Sequence, residues 1–468
     1  MSKGETLRSA ALLWEEAPPA PVRPGERFQP APAGGNGALL IVLMIAGFAL
    51  GLLGVSLLAS PGAWAQPVNE AAPSSVTLEL SVNNWGDAVI EAIEAGVRRF
   101  EQLNPGINVE VRRRGTWDDF VVRVISGVPP DVIAIGLSVG EHSEAGLLMP
   151  LDSFIGGDLW AKIIPEMWSN FTWRGRIWGV PALEHGPRLG MVWNENMLQE
   201  SGLTVDPWEV MTWVEFFEYA QKLTRVDASG NVVRAGYDPR NGQNSRLYTI
   251  AASWGAEDYF PEMGVPRINH PAIVEMLQYT ADSVFGRYPG FTGDTAWYAI
   301  AETHSVAATI LGAYAPGEIA SRDPDLPITV SWLPHPERKR VQQVNGWSLG
   351  IPMGAPYPEL SFKLIEFLAT DVETQLQIYA ASGFLGGSVE FYQELAAVET
   401  NPIIQWYIQS LNVADYIDSP RPDPFLSRSD ALFAAARDQV YRREGAAQTL
   451  LDDAQRMLEA EMREMGRL

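Results

Sequence analysis

Residues 76–82, VTLELSV, alternate apolar and polar positions, the two-residue period of a strand with one buried face. In 87–106 the apolar residues Val89, Ile93, Val97 and Phe100 recur at helical spacing, and Asn104, Pro105 and Gly106 close the run, which predicts an amphipathic helix. INVEVRR (107–113) predicts a second strand, TWDDFVVRVISG (116–127) a second helix and PDVIAIG (130–136) a third strand. Strands alternating with helices imply parallel pairing and an α/β layered fold. In open sheets of this kind ligands gather beyond the carboxyl ends of the strands. Three such ends occur here, NNWGD (83–87), RGTWDD (114–119) and GLSVG (136–140), so Trp85, Asp87, Trp117 and Ser138 are expected to be neighbours.

A different pattern precedes this body. Residues 38–59, ALLIVLMIAGFALGLLGVSLLA, are uncharged over a length that just spans a bilayer as a helix, about 20 residues. Ala63 and Ala65 in the following SPGAWAQ resemble a signal-peptidase site with cleavage before Gln66. The Pro/Ala/Gly-rich tail 1–37 is long and lacks a tight basic cluster, so a retained anchor over 38–60 stands beside a cleaved signal. Both readings share one orientation. Lys3, Arg8, Arg23 and Arg27 lie before the apolar run and no Lys or Arg lies between Ser60 and Val97, which puts the tail in the cytoplasm and the bulk outside. Residues 61–75 read as a linker.

The chain has 468 residues, beyond the usual size of one domain, which implies two domains or lobes. Its 34 basic and 57 acidic side chains give a net charge of −23, all of it carried beyond residue 65. Such a surface repels phosphate backbones and anionic lipid, which argues against nucleic acid as a partner. The absence of cysteine removes disulfides, thiol nucleophiles and thiolate zinc sites. Five scattered histidines with no metal-binding spacing argue against a metal site, and no cofactor is expected.

A chain of landmarks then appears in one order: RRFEQLNPGINVEV, SGVPPDVI, EAGLLMPLDSFI, RGRIWGVPAL followed by MVWNENMLQESGL, PWEVMTWVEFFEYAQKLT, NGWSLGIPMGAPYPELSFKLIEFLAT and GAAQTLLDDAQRMLEAEM. In this order they resemble the family-1 extracellular solute-binding proteins of ATP-binding-cassette importers, typified by maltose-binding protein. The resemblance covers about 76–468. It departs from the family at AETHSVAATILGAY (301–314), which lacks a glycine-lysine pair, and after ASGFLGG (381–387). It implies a two-lobed periplasmic-binding-protein fold, type II-like, each lobe a mixed and mostly parallel sheet flanked by helices. The implied first lobe is 76–185 with 345–390 and the second is 186–344 with 391–468. Crossings are expected near Glu184, over VNGWSLGI (344–351) and near 386–392. A solute would bind between the lobes, and hinge closure would deliver it to the importer's transmembrane permease subunits.

The candidate chemistry weighs holding against catalysis. GLSVG matches G-x-S-x-G, the turn that presents a nucleophilic serine in α/β-hydrolases, with His185 or His304 as the following base. An exported serine hydrolase using Ser138 is therefore an alternative, although no oxyanion segment precedes the motif. Asp87 and Glu184 are candidates for paired glycosidase carboxylates, a question of their separation. Trp85, Trp117, Trp254 and Trp347 fall in expected loops or glycine-flanked crossings, where a flat indole can cover the C–H face of a sugar while nearby polar groups bond its hydroxyls. In the implied second lobe Arg246, Tyr248 and Tyr314 are the ligand candidates. Glu184, His185 and Arg188 read as polar cleft or hinge residues, Glu184 foremost as a ligand contact. The expectation is a monomeric, exported receptor for a mono- or oligosaccharide that catalyses nothing. A membrane-tethered sensor of the same solute is the third reading, against which stands a tail with no recognisable signalling domain.

Overall fold

The computed structural model describes residues 75–260, 265–288 and 291–466. The expected tail, signal or anchor segment and most of the linker lie outside the described residues. Among the described residues no helix is long and apolar enough to cross a membrane.

The first half of the chain contributes β1 Val76–Val82, β2 Ile107–Arg113, β3 Val132–Ile135, β4 Leu148–Met149, β5 Thr172–Trp173, β6 Arg176–Ile177, β7 Val180–Pro187 and β8 Gly190–Asn194. The second half contributes β9 Arg225–Val226, β10 Val232–Tyr237, β11 Val306–Leu311, β12 Ile328–Ser331, β13 Val341–Pro352 and β14 Tyr416–Asp418. The strands build two principal sheets, the frames of two lobes. One has the order β14-β13-β3-β1-β2, with β4 and β7 also paired to β13; the other has the order β12-β8-β11-β10-β9.

The amino-terminal elements form where the periodicity places them. β1 pairs in parallel with β2 from Val76 opposite Ile107 to Val82 opposite Arg113, and with β3 at Leu80 and Ser81. The intervening helix is Asp87–Leu103, and its buried stripe Val89, Ile93, Val97 and Phe100 packs on that sheet. Each of the larger apolar side chains in that stripe stabilises the layer by about 1.5–3 kcal/mol. The second helix, Trp117–Ile125, opens with a capping box in which Thr116 and Asp119 satisfy each other's backbone N–H groups. In the other lobe Trp193, Trp213 and Phe216 form the core with Leu451 and Leu458 of the closing helix Ala447–Glu464.

The sheets are mixed, but the expectation of mostly parallel pairing fails. In the second sheet only β10 and β11 are parallel, while β8 runs antiparallel to β11 and β12, and β9 to β10. In the first, β13 runs antiparallel to β3, β4 and β7. The reason is the connection between lobes. Strands β1 to β3 run towards the cleft, whereas β8 and β13 each enter a sheet from the cleft side and must run away from it.

The chain passes repeatedly between the two sheets. The first passage lies between Pro187, the end of β7, and Gly190, the start of β8. The return falls in the first residues of β13: Val341 still packs in the core of the second lobe, whereas Val344 packs in that of the first and pairs with Pro187 of β7. Near 386–392 the chain is still held by the first lobe: the Ile164 N–H donates to the Gly387 carbonyl at 3.1 Å, and Ser388 bridges to Ile163. It reaches the second lobe later, in the helix Pro402–Val413, where the Tyr407 hydroxyl donates to the Leu311 carbonyl at 2.8 Å.

Candidate functional site

Between the two sheets lies a cleft of about 590 Å³. Trp85, Trp117, Ser138, Glu184 and Trp347 line it from the first sheet and its loops, and Arg246, Tyr248 and Tyr314 from elements of the second. Strand order explains the convergence: each residue follows the carboxyl end of a strand or sits on β7 or β13, the two strands nearest the passage between lobes.

On the first-lobe wall the aromatic planes hold one another. Trp85 meets Trp347 edge-on at 5.4 Å and Phe384 at 5.9 Å. Trp347 is the one residue of β13 that is not buried, and a register shift between Gly346 and Ser348 accompanies its departure from the ladder. Gly346 is required there, since a Cβ would lie 2.2 Å from the Glu184 carbonyl oxygen. The Arg114 guanidinium lies 3.5 Å from the Trp117 ring centre, and the His142 ring centre is 4.4 Å from it. Burial pushes Arg114 down to about 10, so it remains a cation at neutral pH.

The floor is a buried ion pair. Arg188 Nη2 donates to Glu184 Oε2 at 2.7 Å, with side-chain exposures of 13% and 8%, so the pair is screened little by water. Arg188 is further fixed by Nε donating to the Asn345 carbonyl at 3.2 Å and by its position 5.2 Å from the Tyr314 ring centre. Burial raises the Glu184 pKa and the Arg188 charge opposes that rise. Gln243 ties the floor to the second wall: its Nε2 donates to the Arg188 carbonyl at 3.1 Å and its Oε1 accepts from the Tyr314 hydroxyl at 3.1 Å. Burial raises the Tyr314 and Tyr248 phenols, which therefore stay protonated as hydrogen-bond donors. Arg246 stands 3.6 Å from Asp430.

Eight of the nine expected site residues thus share one cleft. Asp87 does not join them. Its side chain is 85% exposed at the start of the helix Asp87–Leu103, where it pairs with Arg113 at the end of β2 on the solvent side and does not line the cleft. That position also removes Asp87 and Glu184 as paired cleft carboxylates. Trp254 is likewise core: it is 7% exposed and stacks on Trp213 at 5.2 Å, closing a helix whose sequence alone resembles a loop entry.

The residues not anticipated include Asn83, Gln243, Trp297, Tyr298, Glu318, Asn345 and Phe384. Asn345 and Gln243 flank recognised motifs, so adjacency to Trp347 and Arg246 was an available signal. Trp297 comes from a loop and Glu318 from the short helix Ala315–Ala320, neither with a distinctive pattern.

A family model for the bacterial extracellular solute-binding protein matches residues 83–375. The chain belongs to this family. The solute-binding fold is also that of solved structures: CpMnBP1 with mannotriose bound is 18% identical, with 82% of this chain and 100% of that one covered and a TM-score of 0.69. The substrate-binding protein Lmo0181 of Listeria monocytogenes in complex with cycloalternan is 17% identical over 83% and 99%, with a TM-score of 0.68. The MalE domain of Bdellovibrio bacteriovorus bound to maltotriose is 17% identical over 83% and 100%, with a TM-score of 0.66. Comparison with curated protein sequences gives no match.

Within a solute-binding frame the GLSVG segment has no hydrolase geometry. Ser138 has an ordinary φ of −69° at the start of the short helix Val139–Glu144, not the strained turn of a nucleophile elbow. The nearby His142 directs Nδ1 to the Ser138 carbonyl oxygen, at 2.7 Å. His185 is fully buried, packs edge-on against Phe171 and is pushed down to about 3 by burial, so it is neutral and unsuited to general-base work near neutral pH. His304 is paired with Asp323 at 3.2 Å and does not line the cleft.

Proposed function

We propose that this chain is the exported receptor of an ATP-binding-cassette importer, which captures a carbohydrate between its lobes and presents it to the membrane permease. One observation carries the reading. Aromatic planes from one wall, Trp85, Trp117 and Trp347, face a second wall bearing Tyr248, Trp297 and Tyr314 across a floor of paired charges and amides. Apolar planes suit the C–H faces of pyranose rings, and the fixed donors and acceptors suit hydroxyls. A volume of about 590 Å³ suits a small molecule of more than one ring. The oligosaccharides bound by the structural neighbours favour the same class.

Glu184, Ser138, Arg246 and Tyr248 are assigned to the solute's polar groups, with Arg188 and Gln243 positioning them. The lobes divide near 185 and 344, and residues 38–60 serve as signal or anchor. Because the contacts come from both lobes, solute favours the closed state. Calorimetric titration with mannotriose, maltotriose and the corresponding monosaccharides, paired with small-angle scattering, tests this. At least one sugar should bind and lower the radius of gyration. Absence of heat and of thermal stabilisation across the sugars would overturn the carbohydrate reading, and tight binding with an unchanged radius would overturn the clamp.

A further inference from the structure

Beyond the cleft floor the lobes are also joined at the cleft margin, by residues 418–427. This segment, DSPRPDPFLS, leaves β14 and enters the helix Leu426–Tyr441 of the second lobe. Its first part is bound to the first lobe. Ser419 Oγ donates to the Glu166 carbonyl at 2.7 Å and Asn170 Nδ2 donates to the Pro420 carbonyl at 2.7 Å. Its last part is gripped by the helix Val139–Glu144, also of the first lobe. Glu141 Oε1 accepts from the Ser427 backbone N–H at 2.7 Å and Oε2 from its hydroxyl at 2.9 Å. Gly140 makes the approach possible, since a Cβ there would fall 2.8 Å from the Asp423 carbonyl carbon. Leu426 and Asp430, on the second-lobe side of this contact, line the cleft with Ser138 of the first.

We infer that Glu141 and Ser427 form a latch that holds the lobes closed. Three prolines, Pro420, Pro422 and Pro424, stiffen the segment, so it transmits a grip at Ser427 instead of absorbing it as a flexible loop would. Two bonds to one carboxylate must break together when Ser427 and Glu141 separate. Both are solvent-exposed, which keeps the latch weak enough to open on each cycle. The role explains the second glycine and the glutamate of GLSVGE, which the binding site leaves unused. It rests on the two-lobed clamp but not on the ligand being a carbohydrate.

The test needs no ligand. The chain has no cysteine, so Ile125→Cys in the first lobe and Val226→Cys in the second, both exposed, are the sole labelling sites, and a donor and an acceptor attached in either order report the same interlobe distance. Single-molecule energy transfer on the full chain then reads the closed-to-open ratio. Glu141→Ala should lower that ratio about three- to tenfold with an unchanged melting temperature, the scale of losing exposed bonds to a charged group. Gly140→Ala should lower it too, by displacing the segment, and Glu141→Gln should retain part of the closure. A ratio unchanged within about twofold in both Glu141→Ala and Gly140→Ala overturns the latch. So does a lowered melting temperature with an unchanged interlobe distance, which would make the segment a fixed buttress.

Discussion

Removing Arg188 by Arg188→Met is the sharpest test of the cleft floor. The substitution keeps length and apolar contact while leaving the Glu184 carboxylate, 8% exposed, without its counter-ion. At an effective dielectric of about 20, opposite charges about 4 Å apart attract by roughly 4 kcal/mol, and breaking a buried pair typically costs about 3–5 kcal/mol. The cost should depend on pH. Burial already raises Glu184 and Arg188 opposes that rise, so its removal raises the folded-state pKa further. A carboxyl raised on folding contributes stability at low pH that is lost as pH climbs through the folded value. Urea unfolding followed by tryptophan fluorescence should therefore show a small gap between wild type and Arg188→Met near pH 5 and a gap of about 3–5 kcal/mol near pH 8. Adding Glu184→Gln should close most of that gap and remove its pH dependence. A gap below about 1 kcal/mol at pH 8, or a double variant no more stable than Arg188→Met alone, would refute the account of a desolvated and mutually dependent pair.

Trp347→Ala and Trp85→Ala should each weaken binding of the sugar that proves active by about 1–3 kcal/mol, with a smaller effect on the free protein's melting temperature; calorimetry beside thermal unfolding separates a ligand platform from a core residue. Asp423 is 7% exposed and burial pushes it up to about 6 from 3.8, although it accepts from the Phe425 N–H and the Ser429 hydroxyl. Its contribution is present below about pH 4 and lost as pH rises through 6, so wild type should lose up to about 3 kcal/mol relative to Asp423→Asn between pH 4 and 7.5, and parallel stability profiles would contradict this.

The local elements were legible because short-range physics decides them. A two-residue alternation at 76–82 and a helical stripe from Val89 to Phe100 specify which face is apolar, and Asn104 to Gly106 specify where the helix stops. The convergence of Trp85, Trp117 and Ser138 was legible for the same reason: parallel strands linked by helices place their carboxyl ends on one edge. Recognising the family required the order of weak motifs, and it pointed to Glu184 and Trp347 at the passages between lobes and to Tyr314 in the second lobe.

What the tertiary structure decided is everything that depends on residues far apart in the chain. Strand direction in β8 and β13 follows from which side of a lobe the chain enters, and a periodicity carries no record of that. Asp87 and Trp254 have the residue types of a binding site, yet one pairs with Arg113 on the solvent side and stacking on Trp213 takes the other into the core. Gln243 joins Arg188 of the cleft floor to Tyr314 of the second lobe, and Glu141 meets Ser427 across 286 residues. A side chain's polarity is local, but its partner is chosen by packing, and packing exists only once both lobes have formed.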